Sequence, residues 1–254
     1  LKRAYCIKEV YHTQASGAEF DVVMSTKQQA AFEAALVEDF GSIKAGMCKV
    51  DVRNAKCRNP KETKSILDEL DGKVGFAECN KLVIGLLNKN LAAHARAALA
   101  LLPAAERGVS TLIDALALLL RDMGQYEEAR LLLEEAIQEK REKLGDRHPD
   151  TLSSIHNLGW LLANKTREYE EAKPLLEEAV QTRRETLGDR HRDTLDSISR
   201  MGYLLKDMGQ LEEARPLCEE AVQVSKETLG DRHPHTLVYI NNLDSLLQAM
   251  GKRA

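Results

Sequence analysis

Aromatic residues are scarce in this chain of 254 residues: Phe, Trp and Tyr make up only 4% of it, although 43% of the residues are hydrophobic. Sandwich and barrel cores rely on aromatic and β-branched residues, whereas Leu and Ala pack well between helices. The composition therefore predicts an all-α protein with a substantial core.

Long hydrophobic runs are also missing. Apolar stretches such as residues 97–105 and 116–120 are far shorter than the roughly 20 residues that cross a bilayer. The first 19 residues have neither a secretory apolar core nor the Arg- and Ser-rich character of a transit peptide, and the chain starts with Leu1, which indicates a processed or truncated start. We expect no direct membrane insertion.

The chain has few cysteines, and their number is odd. The five of them lack a Cys-x-x-Cys spacing, which argues against a disulfide framework and against a zinc site. The sequence therefore favours a cytoplasmic or other reducing compartment, with an organellar location after removal of a transit peptide as the alternative.

Excess positive charge is confined to the front of the chain. Residues 1–103 carry 15 Lys and Arg against 12 Asp and Glu, whereas residues 104–254 carry 21 against 28. Binding to a nucleic-acid backbone depends on many Lys and Arg contacts to phosphates, which an acidic surface disfavours. The charge balance predicts protein partners and no nucleic acid.

What the chain does have is repetition. The segment Leu-Gly-Asp-Arg-His-Pro-Asp-Thr-Leu at residues 144–152 returns, with small changes, at 187–195 and 229–237. Spacings of 43 and 42 residues are typical of helical hairpins that stack into a solenoid.

Each repeat contains the signals of helix, turn and helix. Met-Gly pairs at residues 123–124, 208–209 and 250–251 predict a left-handed glycine that ends the first helix, and residues 164–166 replace that pair in the lengthened second copy. The second helix begins near Tyr126, Tyr169 or Leu211 and closes at Leu-Gly. Recurrent alanines provide the small side chains that close helix crossings need.

These units are identified as tetratricopeptide repeats. The long period, the linker Leu-Gly-Asp-x-His-Pro-Asp-Thr and the segments Asn157-Leu158-Gly159 and Asn241-Asn242-Leu243 resemble the kinesin light chain type over residues 107–252. The resemblance implies a right-handed superhelical solenoid of helix-turn-helix repeats. It also implies a non-catalytic scaffold or adaptor that binds a peptide or helix of a partner protein in its concave groove.

The predicted domain organisation has three parts. Residues 1–24 are expected to be an extended arm, residues 25–103 an N-terminal helical cap or docking region, and residues 104–252 an array of about 3.5 repeats. Within the cap, apolar spacing predicts helices over residues 27–49, 60–70 and 75–102. Terminal units of solenoids differ from internal ones because one of their faces meets water.

Candidate binding residues follow from the resemblance, since the first helix of each unit lines the groove in the tetratricopeptide family. We place Ile113, Ile155, Ile198 and Ile240 inward at equivalent positions. The residues immediately after them, and then those four or five further along, are expected to face the groove. Asn side chains can pair with an extended peptide backbone, and Trp160 offers a rigid anchor. The predicted groove consists of Asp114, Arg121, His156, Asn157, Trp160, Asn164, Ser199, Arg200, Tyr203, Lys206, Asn241, Asn242 and Ser245.

Purely structural roles are the alternatives for the most prominent of these residues. Trp160 and Tyr203 occupy equivalent positions and can instead pack between adjacent first helices. For Asn157 and Asn242 the alternative is a hydrogen bond between helices.

The recurrent histidines His148, His191 and His233 are interpreted as linker residues, because equivalent atoms of neighbouring repeats lie too far apart to share a metal ion. Cys218 takes a position filled by Leu in the other repeats and is expected in the core. No metal site, catalytic residue or cofactor is predicted.

Two other functions are considered. A structural subunit or assembly factor of a larger complex would be held by the arm, the cap or the convex face, and a last helix without a partner would leave Leu243, Leu246 and Leu247 partly uncovered. An enzyme is disfavoured, since no phosphate-binding loop or hydrolase motif occurs. The only support for an enzyme lies in the N-terminal third, where Cys48, Cys57 or Cys79 could pair with His12 or His94 as a thiolate and a base.

Overall fold

The computed structural model describes residues 31–32, 35–36, 40–44, 51, 53, 60–73 and 75–251. Over residues 60–73 and 75–251 the chain forms ten α-helices and one π-helical turn and contains no strand. The all-α prediction is confirmed. The arm predicted at residues 1–24 lies outside the described residues.

The chain divides into two compact units, the first ending at Gly124 and the second beginning at Gln125. The division falls in the turn between the two helices of the first repeat. It lies within the predicted array of residues 104–252, whose bounds remain a prediction.

Over residues 60–73 and 75–124 the first unit contains α1 (Pro60–Lys73), α2 (Phe76–Leu101), the short α3 (Ala104–Arg107) and α4 (Thr111–Asp122). Helices α1 and α2 begin where the apolar spacing predicts them. Helix α2 packs against α1 and α4 and buries a row of small residues, Ala92, Ala95 and Ala98, which allow neighbouring helices to come close.

A short helical stretch at residues 40–44 contacts the end of α4. Phe40 is buried, and the Lys44 ammonium lies 2.7 Å from a carboxylate oxygen of Asp122. Although burial raises it, the hydrogen bonds from Lys44 and Arg121 hold the pKa of Asp122 below its usual range. The region predicted as a cap thus contacts the first helix of the first repeat.

The second unit contains six helices. They are α5 (Tyr126–Leu144), α6 (Pro149–Leu161), α7 (Tyr169–Leu187), α8 (Arg192–Asp207), α9 (Leu211–Leu229) and α10 (Pro234–Gly251). Each packs against the next, so that α6 with α7 and α8 with α9 form two complete hairpins. Helices α6, α8 and α10 are first helices, and α5, α7 and α9 are second helices.

The core of this unit repeats with the sequence. Ile155 and Ile198 have no exposed surface, and the same holds for the alanines of the second helices, Ala129, Ala136, Ala172, Ala179, Ala214 and Ala221. The alanines allow the backbones to approach, and the larger residues of the first helices fill the space between them.

The linkers between repeats explain why histidine recurs. Gly145, Gly188 and Gly230 end the second helices with φ between 84° and 93°, a region that side chains disfavour. Nδ1 of His148, His191 and His233 then accepts the backbone N–H two residues later at 3.2 Å. Each histidine therefore lies where a helix begins and satisfies an amide that has no partner within the helix.

The second repeat is one residue longer than the others. It accommodates the extra residue in a π-helical turn at Leu162–Thr166, directly after α6. Arg167 follows with φ 60° and ψ 31°, in the place that Gly124 and Gly209 take in the other turns. The left-handed residue is thus Arg167, and the prediction that residues 164–166 replace the glycine is wrong. Gly251, also predicted to be left-handed, is instead the last residue of α10.

Replacing Arg167 by Gly is expected to stabilise the second unit by about 0.5–1 kcal/mol. A side chain in the left-handed region costs about 1–2 kcal/mol, and the greater freedom of glycine in the unfolded chain offsets part of the gain. Urea denaturation followed by circular dichroism measures the difference. Arg167→Ala is the control, because it removes the same side chain but keeps the strain; equal stability of the two variants would refute the account.

Candidate functional site

The first helices of the second unit carry an aromatic pair. Trp160 of α6 and Tyr203 of α8 occupy equivalent positions, and their ring centroids lie 5.2 Å apart at an interplanar angle of 69°. This edge-to-face geometry is a favourable one for aromatic rings. Both side chains are only partly buried, so they pack between adjacent first helices and also contribute to the surface.

Two cations cover the aromatic pair. The Arg200 guanidinium lies 4.6 Å from the centroid of the Trp160 ring, and the Lys206 ammonium lies 4.1 Å from that of Tyr203. Lys206 also donates to the Ser245 hydroxyl of α10 at 3.1 Å. A line of contacts therefore runs across α6, α8 and α10, and it combines aromatic surface with positive charge.

The asparagines of these helices behave differently from one another. Asn242 donates to the Ser199 hydroxyl at 2.9 Å, which is the hydrogen bond between helices that the sequence left as an alternative. Asn157, Asn164 and Asn241 have no side-chain hydrogen bond within the described part of the chain, and all three have exposed surface. Their amide groups are free to pair with an external backbone.

Two of the predicted groove residues lie beneath this surface. His156 and Ser199 are only 4% and 2% exposed. His156 Nε2 lies 3.0 Å from Asp196 Oδ2, and its Nδ1 lies 3.1 Å from the Ser197 hydroxyl. Contrary to the prediction, both therefore support the surface from below, because each bonds to the neighbouring first helix.

The hydrogen bonds of His156 belong to a longer network. Arg183 of α7 is buried and donates to the Ser197 hydroxyl at 2.8 Å, and Arg200 donates to Asp196 at 3.1 Å. The order of the network is Arg183, Ser197, His156, Asp196 and Arg200. It joins the interior of the repeats to the cation above Trp160.

Burial controls the charge of this network. Desolvation lowers the pKa of His156 to about 4, with Arg200 and Arg183 acting in the same direction, and together they outweigh the hydrogen bond to Asp196. Burial raises the pKa of Asp196, but the hydrogen bond from His156 and the charge of Arg200 lower it overall, well below its usual range. At neutral pH His156 is therefore neutral and Asp196 is ionised.

Ser197, His156 and Asp196 are the residue types of a hydrolase triad, and they are connected in that order. Ser197 has no exposed surface, and its oxygen already accepts a hydrogen bond from Arg183. A nucleophile must reach its substrate. In this structure the trio therefore orients Arg200 and fixes the packing of α6 against α8.

The remaining predicted groove residues, Asp114 and Arg121, lie on α4 in the first unit. Both are partly buried, and Arg121 pairs with the adjacent Asp122 at 2.7 Å. They are thus on a first helix, as predicted, in the unit that also contains Lys44.

The cysteines described by the structure are in core positions. Cys218 is 2% exposed, and burial raises the pKa of its thiol to about 11. Cys79 is equally buried, and its pKa is raised for the same reason. A thiol with a raised pKa is a poor nucleophile. Of the other N-terminal candidates, His94 packs against Phe32, whereas Cys48, Cys57 and His12 lie outside the described residues.

Two residues of the site escape sequence reasoning. Asp196 links His156 to Arg200, but in the sequence it is one charged residue among many on a helix. The burial of Arg183 could have been predicted from the sequence, because Arg183 continues the buried stripe of Leu176 and Ala179 at helical spacing. The equivalent residue of the preceding repeat, Lys140, is buried as well.

The repeats match tetratricopeptide families. Residues 109–185 match one family model of the tetratricopeptide repeat, and residues 194–235 match a second. Together with the stacked hairpins, these matches define the chain as a tetratricopeptide repeat protein, a class of protein-interaction scaffolds. No curated protein gives a significant match.

Solved structures place the repeats within that class. A crystal structure of nearly identical TPR-like repeats of a Podosopora anserina kinesin light chain, in a form with one substitution, is 27% identical, with a TM-score of 0.56, and the match covers 65% of this chain and 80% of that one. BtubC (BKLC) from P. vanneervenii shares the fold at 17% identity and a TM-score of 0.58, over 90% of this chain and 85% of its own length. The repeats of this chain are thus tetratricopeptide repeats similar to those of kinesin light chain-like proteins.

In the described part of the chain, no helix combines the length and the apolar character that crossing a bilayer requires.

Proposed function

We propose that the protein is a non-catalytic adaptor that holds a peptide or helix of a partner protein against the first helices of its repeats. The observation that carries the proposal is the surface formed by Trp160, Tyr203, Arg200 and Lys206 beside asparagines with unused hydrogen-bonding groups. We call it the aromatic face. Its rings offer a rigid anchor, and the asparagine amides can pair with both the donor and the acceptor of a partner backbone.

The network beneath the aromatic face favours a preformed site. Arg200 is held by Asp196, Asp196 by His156, and His156 by Ser197, so the cation above Trp160 is positioned before a partner arrives. Preorganisation reduces the entropy lost on binding. The charges of Arg200 and Lys206 are only partly exposed, at 24% and 14%, so a partner has little water to displace from them.

Replacing Asn157 and Trp160 together by Ala is expected to weaken partner binding by at least about 30-fold, because loss of an aromatic hot spot costs about 2 kcal/mol or more. The measurement is chemical cross-linking with mass spectrometry on the protein in its own cells. Partners joined through the aromatic face should be lost from the double variant.

The matched control is Glu212→Ala with Gln223→Ala, two exposed positions on the second helix α9. It should retain the partners. Unfolding curves of both double variants establish that the repeats remain folded. An unchanged set of partners in a folded Asn157→Ala, Trp160→Ala protein would contradict the proposal.

A second candidate, a structural subunit of a larger complex, is supported by the exposed apolar residues of α10. Leu237, Val238 and Leu247 are 48%, 52% and 44% exposed, whereas Leu195 and Leu205, which are equivalent to Leu237 and Leu247, are 0% and 3% exposed. Leu246, predicted to be uncovered, is fully buried. If cross-linking finds the same neighbours for both double variants and locates them on α10, this function is favoured.

A further inference from the structure

A cavity of about 440 Å³ opens between the second helices α5 and α7. Ile137, Leu158 and Leu175 supply its apolar lining, and the exposed residues Gln138, Arg141 and Glu142 lie at its mouth together with Glu134. None of the residues of the aromatic face lines it. The cavity is large enough for an apolar side chain of another molecule.

The mouth of this cavity is acidic. Two carboxylates, those of Glu134 and Glu142, line it together with one guanidinium, that of Arg141. The Arg141 guanidinium donates to both carboxylate oxygens of Glu178, at 2.6 and 2.7 Å, so its charge is already balanced within the protein. The mouth of the cavity therefore attracts cations and repels anions.

An exposed leucine extends the apolar surface beside the cavity. Leu131 is 65% exposed and lies one helical turn before Glu134, on the same face of α5. Prolines, Pro174 and Pro216, occupy the equivalent positions on the other two second helices. The combination of apolar cavity, exposed leucine and acidic rim therefore distinguishes this pair of helices in the second unit.

We propose that this cavity is a second docking site, which takes an aliphatic or aromatic side chain from a partner segment whose neighbouring residues are Lys or Arg. The apolar residue fills the space above Ile137, Leu158 and Leu175, and the flanking cations meet Glu134 and Glu142. Charge complementarity selects the basic segment over an acidic one. The site is separate from the aromatic face, so one chain can bind two partners at once.

The test uses matched small probes of opposite charge, n-hexylamine and n-hexanoate, titrated into protein labelled with ¹³C at its Ile and Leu methyl groups. We expect saturable shifts of the Ile137, Leu158 and Leu175 methyl signals, with hexylamine binding at least about five-fold more tightly than hexanoate. Glu142→Lys should remove that preference, and Leu175→Gln, which keeps the size of the side chain but removes apolar lining, should weaken binding several-fold.

Glu185→Lys, the same charge change at a neighbouring position of α7, is the matched control and should leave hexylamine binding unchanged. The Asn157→Ala, Trp160→Ala variant should also bind hexylamine normally, which separates this site from the aromatic face. Absence of saturable shifts, equal affinity for the two probes, or unchanged binding in a folded Leu175→Gln protein would each overturn the proposal.

Discussion

Replacing Gly202 by Ala is expected to lower the free energy of unfolding of the second unit by about 2–3 kcal/mol. A Cβ at Gly202 of α8 would lie 2.6 Å from the sulfur of Cys218 on α9. Cys218 is buried and has no flexible end that can move aside. The steric penalty therefore exceeds the roughly 1 kcal/mol by which Ala is the better helix former. Urea denaturation followed by circular dichroism measures the loss.

Gly85→Ala is the matched control for this substitution. Gly85 is also a helical glycine, but no atom of the described residues lies within 4 Å of its added Cβ, so the same change should be neutral or stabilising. Combining Gly202→Ala with Cys218→Ala should cost less than the sum of the single changes, because the clash is removed. A Gly202→Ala protein as stable as the Gly85→Ala protein would show that the helices do not approach this closely.

Acidification from pH 6.5 to pH 4 is expected to destabilise the second unit through His156, by up to about 3 kcal/mol. In the unfolded chain this histidine binds a proton near its ordinary pKa of 6.5, whereas burial lowers its folded pKa to about 4. Between these values the unfolded state binds more protons than the folded one. The free energy of unfolding therefore falls as the pH falls through this window, and the contribution is fully present above it.

His156→Gln isolates this contribution. The variant keeps a hydrogen-bonding side chain between Asp196 and Ser197 but cannot titrate, so its stability should change much less between pH 6.5 and pH 4. Asp196 acts at lower pH, because its pKa is lowered and its contribution is lost only as the pH falls below the ordinary carboxyl range. Urea midpoints measured at several pH values give both curves. Parallel curves for wild type and variant would show that His156 is not buried in the neutral state.

The repeat pattern was sufficient to predict the hairpins, because each repeat must bury the same faces against its neighbours. Ile155 and Ile198 lie in the core, as predicted, and so do the alanines that let the second helices approach. The positions of Trp160 and Tyr203 on one face also follow from the alignment of the repeats. Whether such a residue packs between helices or contacts a partner does not follow from the alignment. In the structure Trp160 and Tyr203 contact each other and keep part of their surface exposed.

The errors arise where neighbouring helices decide the outcome. The residue after the core isoleucine was expected to face the groove, but adjacent first helices lie side by side, so His156 bonds to Asp196 and Ser199 to Asn242. Asn241 has the same position on α10 and is exposed, because no later first helix follows it among the described residues. Sequence spacing gives the face of a helix, and packing determines what covers it.

The turn of the second repeat was unpredictable for a local reason. One extra residue can be absorbed by a loop or by a π-helical turn, and the chain uses the π-helical turn. That choice moves the left-handed position to Arg167, although arginine has no special preference for it.

Site-specific photo-cross-linking of the protein in its own cells tests whether the aromatic face holds a partner. A photoreactive phenylalanine replaces Asn157, Asn241 or, as a control on the second-helix side, Glu212. We expect positions 157 and 241 to label the same segment of the same partner and position 212 not to label it. Adding Trp160→Ala should remove the label. Equal labelling from all three positions, or labelling that survives Trp160→Ala, would contradict the proposed function.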